Sequence, residues 1–158
     1  MGIFDKYFNK KEVSKEEKFR DAFMELQIGI ISVCLEFADG NADYIYAYGS
    51  IEEFSNTFNV FFKKDGKVLT SEQINNNDDL GWQLLRVGTE DLQKIRVLCE
   101  EYSVQHPTEM KMYYNVKTKK YNADFKYEPV CTLENEVLER EVFENWIEEE
   151  KAKINMKN

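Results

Sequence analysis

The stretch MKMYYNVKTKKYNADFKYEPV, Met110 to Val130, contains two segments in which apolar and polar residues alternate, separated by a polar turn. Met112 and Tyr114 belong to the apolar set of the first segment, and Ala123 and Phe125 to that of the second. A period of two residues indicates a β-strand with one buried and one solvated face. Half-solvated strands are typical of an antiparallel sheet, whereas a parallel sheet covered on both faces needs continuously apolar strands. The stretch therefore predicts an antiparallel hairpin whose apolar face packs on helices.

Further strands are predicted before this hairpin. Residues 44–48 alternate in the same way, and so do residues 58–62. The pair Asp65-Gly66 that follows is a strong signal for a two-residue hairpin turn, and it leads into a short strand at residues 67–69. Together these segments predict a meander of three strands.

The remaining patterned segments have helical periodicity. Ser14 and Glu17 form an S-x-x-E capping box in front of apolar residues that are spaced by three and four positions. A second helical pattern covers residues 80–102 and is interrupted by Gly88, so one bent helix and two short helices fit it equally well. A third covers residues 138–147. The apolar residues of the first and third stripes are Phe19, Phe23, Leu26, Ile30, Cys34 and Phe37, and Leu138, Val142, Phe143, Trp146 and Ile147.

The order of these elements predicts an α+β fold. It consists of an antiparallel β-sheet of about five strands with helices packed mainly on one face. Residues 1–13 precede the first helix cap and are interpreted as an N-terminal arm, either docked on the domain or mobile. Residues 14–150 are predicted to form a single domain, and residues 151–158 a C-terminal tail.

Composition restricts the classes of partner. The net charge is -9 and the isoelectric point is near 4.8, so the overall field repels nucleic acid and anionic membranes and favours a basic partner. Cys34, Cys99 and Cys131 are odd in number and never form a C-x-x-C pair, which indicates reduced thiols and a cytoplasmic location. The chain shows neither a signal-peptide pattern nor a continuous apolar membrane span. We therefore predict a cytoplasmic protein that binds neither nucleic acid nor membrane.

The sequence offers few candidates for catalysis. His106 is the only histidine, and phosphate-binding glycine motifs are absent. The adjacent acids Asp78-Asp79 and Glu52-Glu53 are more typical of solvated surface than of a catalytic pair. We therefore predict no catalytic, cofactor-binding or metal-binding residues. A small hydrolase that uses these carboxylates or His106 is kept as an alternative.

Two groups of residues are candidates for binding a partner. Tyr44, Tyr46 and Tyr48 lie opposite the apolar side of their strand, and exposed tyrosines are favoured in binding surfaces. The alternative is that these rings complete the core under the first helix. Glu141, Glu144 and Glu148 lie opposite the apolar stripe of the last helix. Such an acidic face either solubilises the protein or steers a basic partner towards it.

A family resemblance adds to this interpretation. The segment HPTEMKMYYNVKTKKYNADFKYEPV is preceded by a helical pattern ending at Tyr102 and followed by one with Arg140 and Trp146. In this arrangement, and in the strand pattern FNVFFKKDGKVL, the chain resembles the YezG-like immunity proteins of bacterial polymorphic toxin systems. The resemblance covers the chain from about Lys15 to Trp146. The chain differs from the family's pattern at the Lys119-Lys120 turn.

The resemblance implies a cytoplasmic antitoxin that binds and neutralises a cognate toxin, often a nuclease. An acidic protein is suited to the basic nucleic-acid-binding surface of such a toxin, because opposite charges accelerate association. A general acidic adaptor or DNA mimic is a further alternative; rows of carboxylates spaced like phosphates would favour it.

Overall fold

A computed structural model describes residues 14–157 of the chain. The arm predicted at residues 1–13 lies outside the described residues. The elements, in chain order, are α1 (Lys15–Ala38), β1 (Tyr44–Ile51), β2 (Asn56–Lys64), β3 (Lys67–Thr70), α2 (Ser71–Ile74), α3 (Asp78–Glu101), β4 (Glu109–Asn115), β5 (Tyr121–Lys126) and α4 (Glu139–Lys157). Each helix within this part of the chain is too short or too polar to span a bilayer.

The five strands form one antiparallel sheet with the order β3-β2-β1-β4-β5. The predicted hairpin forms β4 and β5, and the predicted meander forms β1 to β3. At the centre of the sheet Ala47 lies opposite Val60 on one side and Met112 on the other, and all three are buried. The predicted α+β fold is thus confirmed.

Local sequence signals set several of the boundaries. The Ser14 side chain accepts a hydrogen bond from the Glu17 backbone N–H at 3.2 Å, which caps the N-terminus of α1. This is one half of the predicted capping box, and the Glu17 side chain makes no return bond to Ser14 within the described residues. Asp65 and Gly66 have φ values of 50° and 76°, as a type I′ hairpin turn requires. The cap and the turn each involve residues that are close together in the chain, so the sequence alone was sufficient to predict them.

The helix α3 is continuous through Gly88, which decides between the two alternatives left open by the sequence. A Cβ atom built on Gly88 would lie 2.2 Å from Cδ2 of Phe58 in β2. The glycine therefore serves close packing of α3 on the sheet rather than ending the helix. A packing glycine and a helix-breaking glycine look alike in the sequence.

One face of the sheet is covered by α1 and α3. The inward side chains of β1, such as Ile45 and Ile51, pack there against the predicted stripes of both helices. The buried members of this core from the helices include Ile30, Ile31, Cys34, Phe37, Leu84, Leu92, Ile95 and Cys99. Nearly all of them are aliphatic or small, which permits dense packing.

The opposite face is covered by α4 alone. Phe143 and Trp146 of this helix are buried against Tyr46, Tyr48 and Phe61. Leu138, which was predicted to belong to the same apolar stripe, is exposed and precedes the first residue of α4. Residues 151–157, set apart as a tail by the sequence analysis, continue α4.

Candidate functional site

The three tyrosines predicted to bind a partner lie on the sheet face covered by α4. Tyr44 is 37% exposed, but Tyr46 and Tyr48 are buried. The expectation that all three rings are exposed is therefore wrong for Tyr46 and Tyr48, because the helix that covers them comes from a distant part of the chain. The alternative placed them under the first helix and is wrong too, since they face away from α1.

Tyr46 and Tyr48 belong instead to a tightly packed aromatic cluster. The Tyr46 ring stacks on Phe61 with centroids 4.6 Å apart and an interplanar angle of 2°. Trp146 makes edge contacts with Phe61 at 5.0 Å, with Tyr113 at 5.4 Å and with Tyr46 at 5.8 Å. Offset-stacked and edge contacts are the favoured arrangements of aromatic rings, so this cluster fixes α4 on the sheet.

The three predicted glutamates are exposed on the solvent side of α4. Glu144 Oε1 pairs with Arg140 Nε at 2.9 Å, and Glu148 Oε1 pairs with Lys151 Nζ at 3.6 Å. Glu141 has no ion pair among the residues that the structure describes. The glutamates and the tyrosines therefore do not share one surface, since α4 lies between them.

A different acidic surface is formed where β1 ends and α4 begins. We call it the acidic end and define it by Glu53, Phe54, Leu133, Glu134, Glu136, Glu139 and Glu141. Phe54 comes from the β1–β2 turn and is 86% exposed, and Leu133 comes from the linker between β5 and α4 and is 93% exposed. Hydrogen bonds join the β1–β2 turn to the linker and to α4, so both apolar side chains belong to the same end of the molecule as the five carboxylates. Apolar surface rimmed by polar residues is one mark of a binding site, which makes this end a candidate.

Hydrogen bonds hold the parts of the acidic end together. Glu52 Oε1 accepts the backbone N–H of Val130 at 3.1 Å and that of Cys131 at 3.0 Å. The Ser55 hydroxyl lies 3.4 Å from Glu139 Oε1 and donates to it. The β1–β2 turn is therefore fastened both to the linker and to the first turn of α4. Glu52 was predicted to be solvated, but it is buried and forms this clamp.

The linker also has its own local order. Thr132 N–H donates to Asn135 Oδ1 at 3.0 Å, and Asn135 N–H donates to Thr132 Oγ1 at 3.1 Å. This reciprocal pair closes a turn whose second residue is Leu133. The exposed leucine is consequently presented from a structured turn. Sequence reasoning missed Phe54 and Leu133, although a lone apolar residue inside the polar segments EEFSN and TLENE is a detectable signal.

Buried polar groups lie beneath the linker. Tyr48 OH and Glu109 Oε1 are buried and have no hydrogen-bond partner within residues 14–157, while Glu109 Oε2 is 3.5 Å from Lys126 Nζ. Burial, and then the nearby carboxylates of Glu139 and Glu52, raise the pKa of the Cys131 thiol to about 11. At neutral pH this thiol is protonated and is a poor nucleophile.

Asp78 and Glu52, two of the carboxylates proposed for a hydrolase, lie far apart. Glu52 lies beside Arg96 of α3, which donates to its backbone carbonyl. Asp78 begins the same helix eighteen residues before Arg96, a distance of about 27 Å along the helix axis. His106 Nδ1 lies 2.9 Å from the carbonyl oxygen of Pro107, its neighbour. Over the described part of the chain, no group of three or more histidine, cysteine or acidic residues could hold a metal ion.

No protein-family model matches the chain, and no curated protein matches it significantly.

Proposed function

We propose that this chain is a non-enzymatic, cytoplasmic immunity protein that binds and neutralises a cognate bacterial toxin through its acidic end. The proposal depends mainly on the exposure of Phe54 and Leu133 near carboxylates of the acidic end. Both side chains come from segments that hydrogen bonds hold in place. A toxin with a basic surface is the partner that this chemistry fits. A nuclease is the favoured class, because its substrate-binding surface must attract phosphates.

The two kinds of residue have separate tasks in this proposal. Carboxylates such as Glu53, Glu134 and Glu136 accelerate the encounter with a basic surface, and this acceleration weakens as salt increases. Phe54 and Leu133 supply the apolar contacts that slow dissociation, because they lose water when they enter a partner's pockets. The hydrogen bonds from Glu52 favour affinity, since a turn that is already ordered loses less entropy on binding.

The arrangement favours a toxin-specific surface over a general DNA mimic. A mimic needs carboxylates in rows that follow the spacing of phosphates. Here apolar side chains interrupt the carboxylates, and Glu144 and Glu148 are paired with basic residues of their own helix.

The proposal is tested by coexpression with the toxin domains encoded beside this protein. We expect one of them to be lethal alone, to be tolerated in the presence of this chain, and to copurify with it. The double variant Phe54→Ala, Leu133→Ala should weaken binding at least about 30-fold, which corresponds to about 2 kcal/mol at an interface centre.

Trp82→Ala is the control, because Trp82 is also a large apolar side chain and is 73% exposed but belongs to α3 on the other face of the sheet. It should leave binding unchanged. Unaltered protection by the double variant would refute the assignment to the acidic end. Failure to bind or protect against every neighbouring toxin would refute the immunity function itself.

A further inference from the structure

A second candidate site lies at the opposite end of the sheet, beside the C-terminal half of α4. It is a cavity of about 440 Å³ with walls formed by Tyr44, Tyr46, Tyr113 and Tyr114, and we call it the tyrosine cleft. Tyr44 begins β1, so the cleft is remote from the acidic end, which lies where β1 ends. Its volume falls within the range of about 300–1,000 Å³ that is typical of small-molecule sites.

The lining of the cleft contains two lysines and one glutamate, although the protein is acidic overall. Lys120 and Lys153 line it, and Lys63 lies over the Tyr44 ring with Nζ 5.2 Å from the centroid. The one carboxylate in the lining, that of Glu150, is already paired with Lys153 Nζ at 2.9 Å. Asp124 and Glu149 also lie near Tyr113, so the cleft as a whole is not strongly positive. Lys120 has no ion pair among the residues described by the structure, and its ammonium group is available to an anion.

The aromatic walls favour a planar ligand. Tyr46 is buried and stacked on Phe61, and it forms a fixed floor. Tyr44 is partly exposed and Tyr113 is half-buried, and both line the cavity on the α4 side. Tyr114 is also half-buried, but its side chain packs against the core on the opposite face. Stacking of a base on an aromatic side chain contributes about 1–3 kcal/mol and needs no particular base.

Polar groups in the walls add hydrogen-bonding capacity. Burial raises the pKa of Tyr46 and of Tyr113, so both phenols stay neutral at physiological pH. The Tyr113 hydroxyl donates to Asp124 Oδ2 at 3.0 Å. The amide of Asn122 also lines the cavity and can both donate and accept. A ligand with a polar planar ring and an anionic group matches these surroundings.

We propose that the tyrosine cleft binds a nucleotide, with the base against Tyr44 and Tyr113 and the phosphate beside Lys120 and Lys153. This site is separate from the acidic end and does not depend on the immunity function. It is also compatible with the predicted lack of affinity for long nucleic acids, because the surrounding field of a protein with net charge -9 repels an extended polyanion.

Titration of the whole protein with ATP, AMP, adenosine and pyrophosphate tests the proposal. Binding can be followed by calorimetry and by fluorescence of Trp146, whose ring contacts Tyr113. We expect ATP and AMP to bind, and adenosine and pyrophosphate to bind at least about 10-fold more weakly, since each lacks one of the two recognised groups. Equal affinity for pyrophosphate and ATP, or no binding of either nucleotide at millimolar concentration, would overturn the proposal.

Variants locate the site. Lys120→Gln and Tyr44→Leu should each weaken ATP binding by about 5-fold or more, the loss of one ionic or stacking contact at a partly exposed site. The matched controls are Lys67→Gln, at the same end of the sheet but outside the cleft, and Tyr127→Leu, beyond the end of β5. The controls should bind ATP like the unaltered protein. Equal losses in the variants and controls would show that binding is not specific to the cleft.

Discussion

The two faces of the sheet are packed by different kinds of side chain. The face under α1 and α3 is filled mainly by aliphatic residues such as Ile30, Ile45 and Leu92, with some phenylalanines among them, and two long helices cover it. The face under α4 is filled by aromatic rings, and a single helix covers only part of it. Buried polar atoms without partners in the described chain, Tyr48 OH and Glu109 Oε1, lie on this second face.

The difference indicates a division of roles. The aliphatic face excludes water over a continuous core, which is the main source of folding free energy. The aromatic face leaves space beside α4, and both candidate surfaces border this helix. The acidic end includes its first residues, and the tyrosine cleft includes Glu150 and Lys153 from its second half. The docking of α4 therefore controls both surfaces.

The largest expected effect comes from removing the ring that fixes α4. Trp146→Ala should lower the free energy of unfolding by about 3–5 kcal/mol, as for other buried tryptophans that leave a cavity. Urea denaturation measures this change. Trp82→Ala, at an exposed position of α3, should stay within about 0.5 kcal/mol of the unaltered protein. Equal stability of the two variants would contradict the role given to the aromatic cluster.

Hydrogen exchange on the Trp146→Ala protein sharpens the same comparison. If the two faces are separable, amides of α4 should lose protection while those of α1 and β1 keep most of theirs. Uniform loss of protection would instead show that the two faces unfold as one cooperative unit.

An intermediate effect is expected on the aliphatic face. Gly88→Ala places a methyl group 2.2 Å from the Phe58 ring and should destabilise the fold by about 1–3 kcal/mol. Gly81→Ala in the same helix meets no atom within 4 Å and should stabilise it by about 0.5–1 kcal/mol, because alanine favours helix. Thermal or urea unfolding of this pair distinguishes packing from helix propensity. Destabilisation by both substitutions to the same extent would contradict the close approach of α3 to β2.

The smallest expected effect concerns the clamp between the β1–β2 turn and the linker. Glu52→Gln keeps an acceptor oxygen for Val130 and Cys131 but removes its charge, and should cost about 1 kcal/mol. Limited proteolysis of the linker at residues 127–138 should become faster. Glu53→Gln, at the exposed neighbour, is the control and should change neither property. Identical proteolysis of the two variants would argue against the clamp.

The sequence predicted best the features set by neighbouring residues. Alternation over Met110 to Val130 identified the β4–β5 hairpin, Asp65-Gly66 identified the turn between β2 and β3, and Ser14 identified the start of α1. In each case the deciding interaction joins residues a few positions apart. Such interactions act on the chain before the rest of the fold exists.

The candidate surfaces were less predictable because distant segments form them. Alternation assigned Tyr46 and Tyr48 to the correct side of β1, but it contained no information about α4, which begins some ninety residues later in the chain. Likewise, the pattern Glu52-Glu53 does not distinguish a buried acceptor from an exposed acid. Only the position of the linker makes that distinction.

By itself, the sequence determined the α+β class, the five strands and most element boundaries, because periodicity and local capping specify them. The tertiary structure alone decided the continuity of α3 at Gly88, the placement of α4 on the second face, and the projection of Phe54 and Leu133 at one end. The physical reason is that burial depends on what covers a residue. For these residues, contacts between distant parts of the chain decide whether another segment covers them.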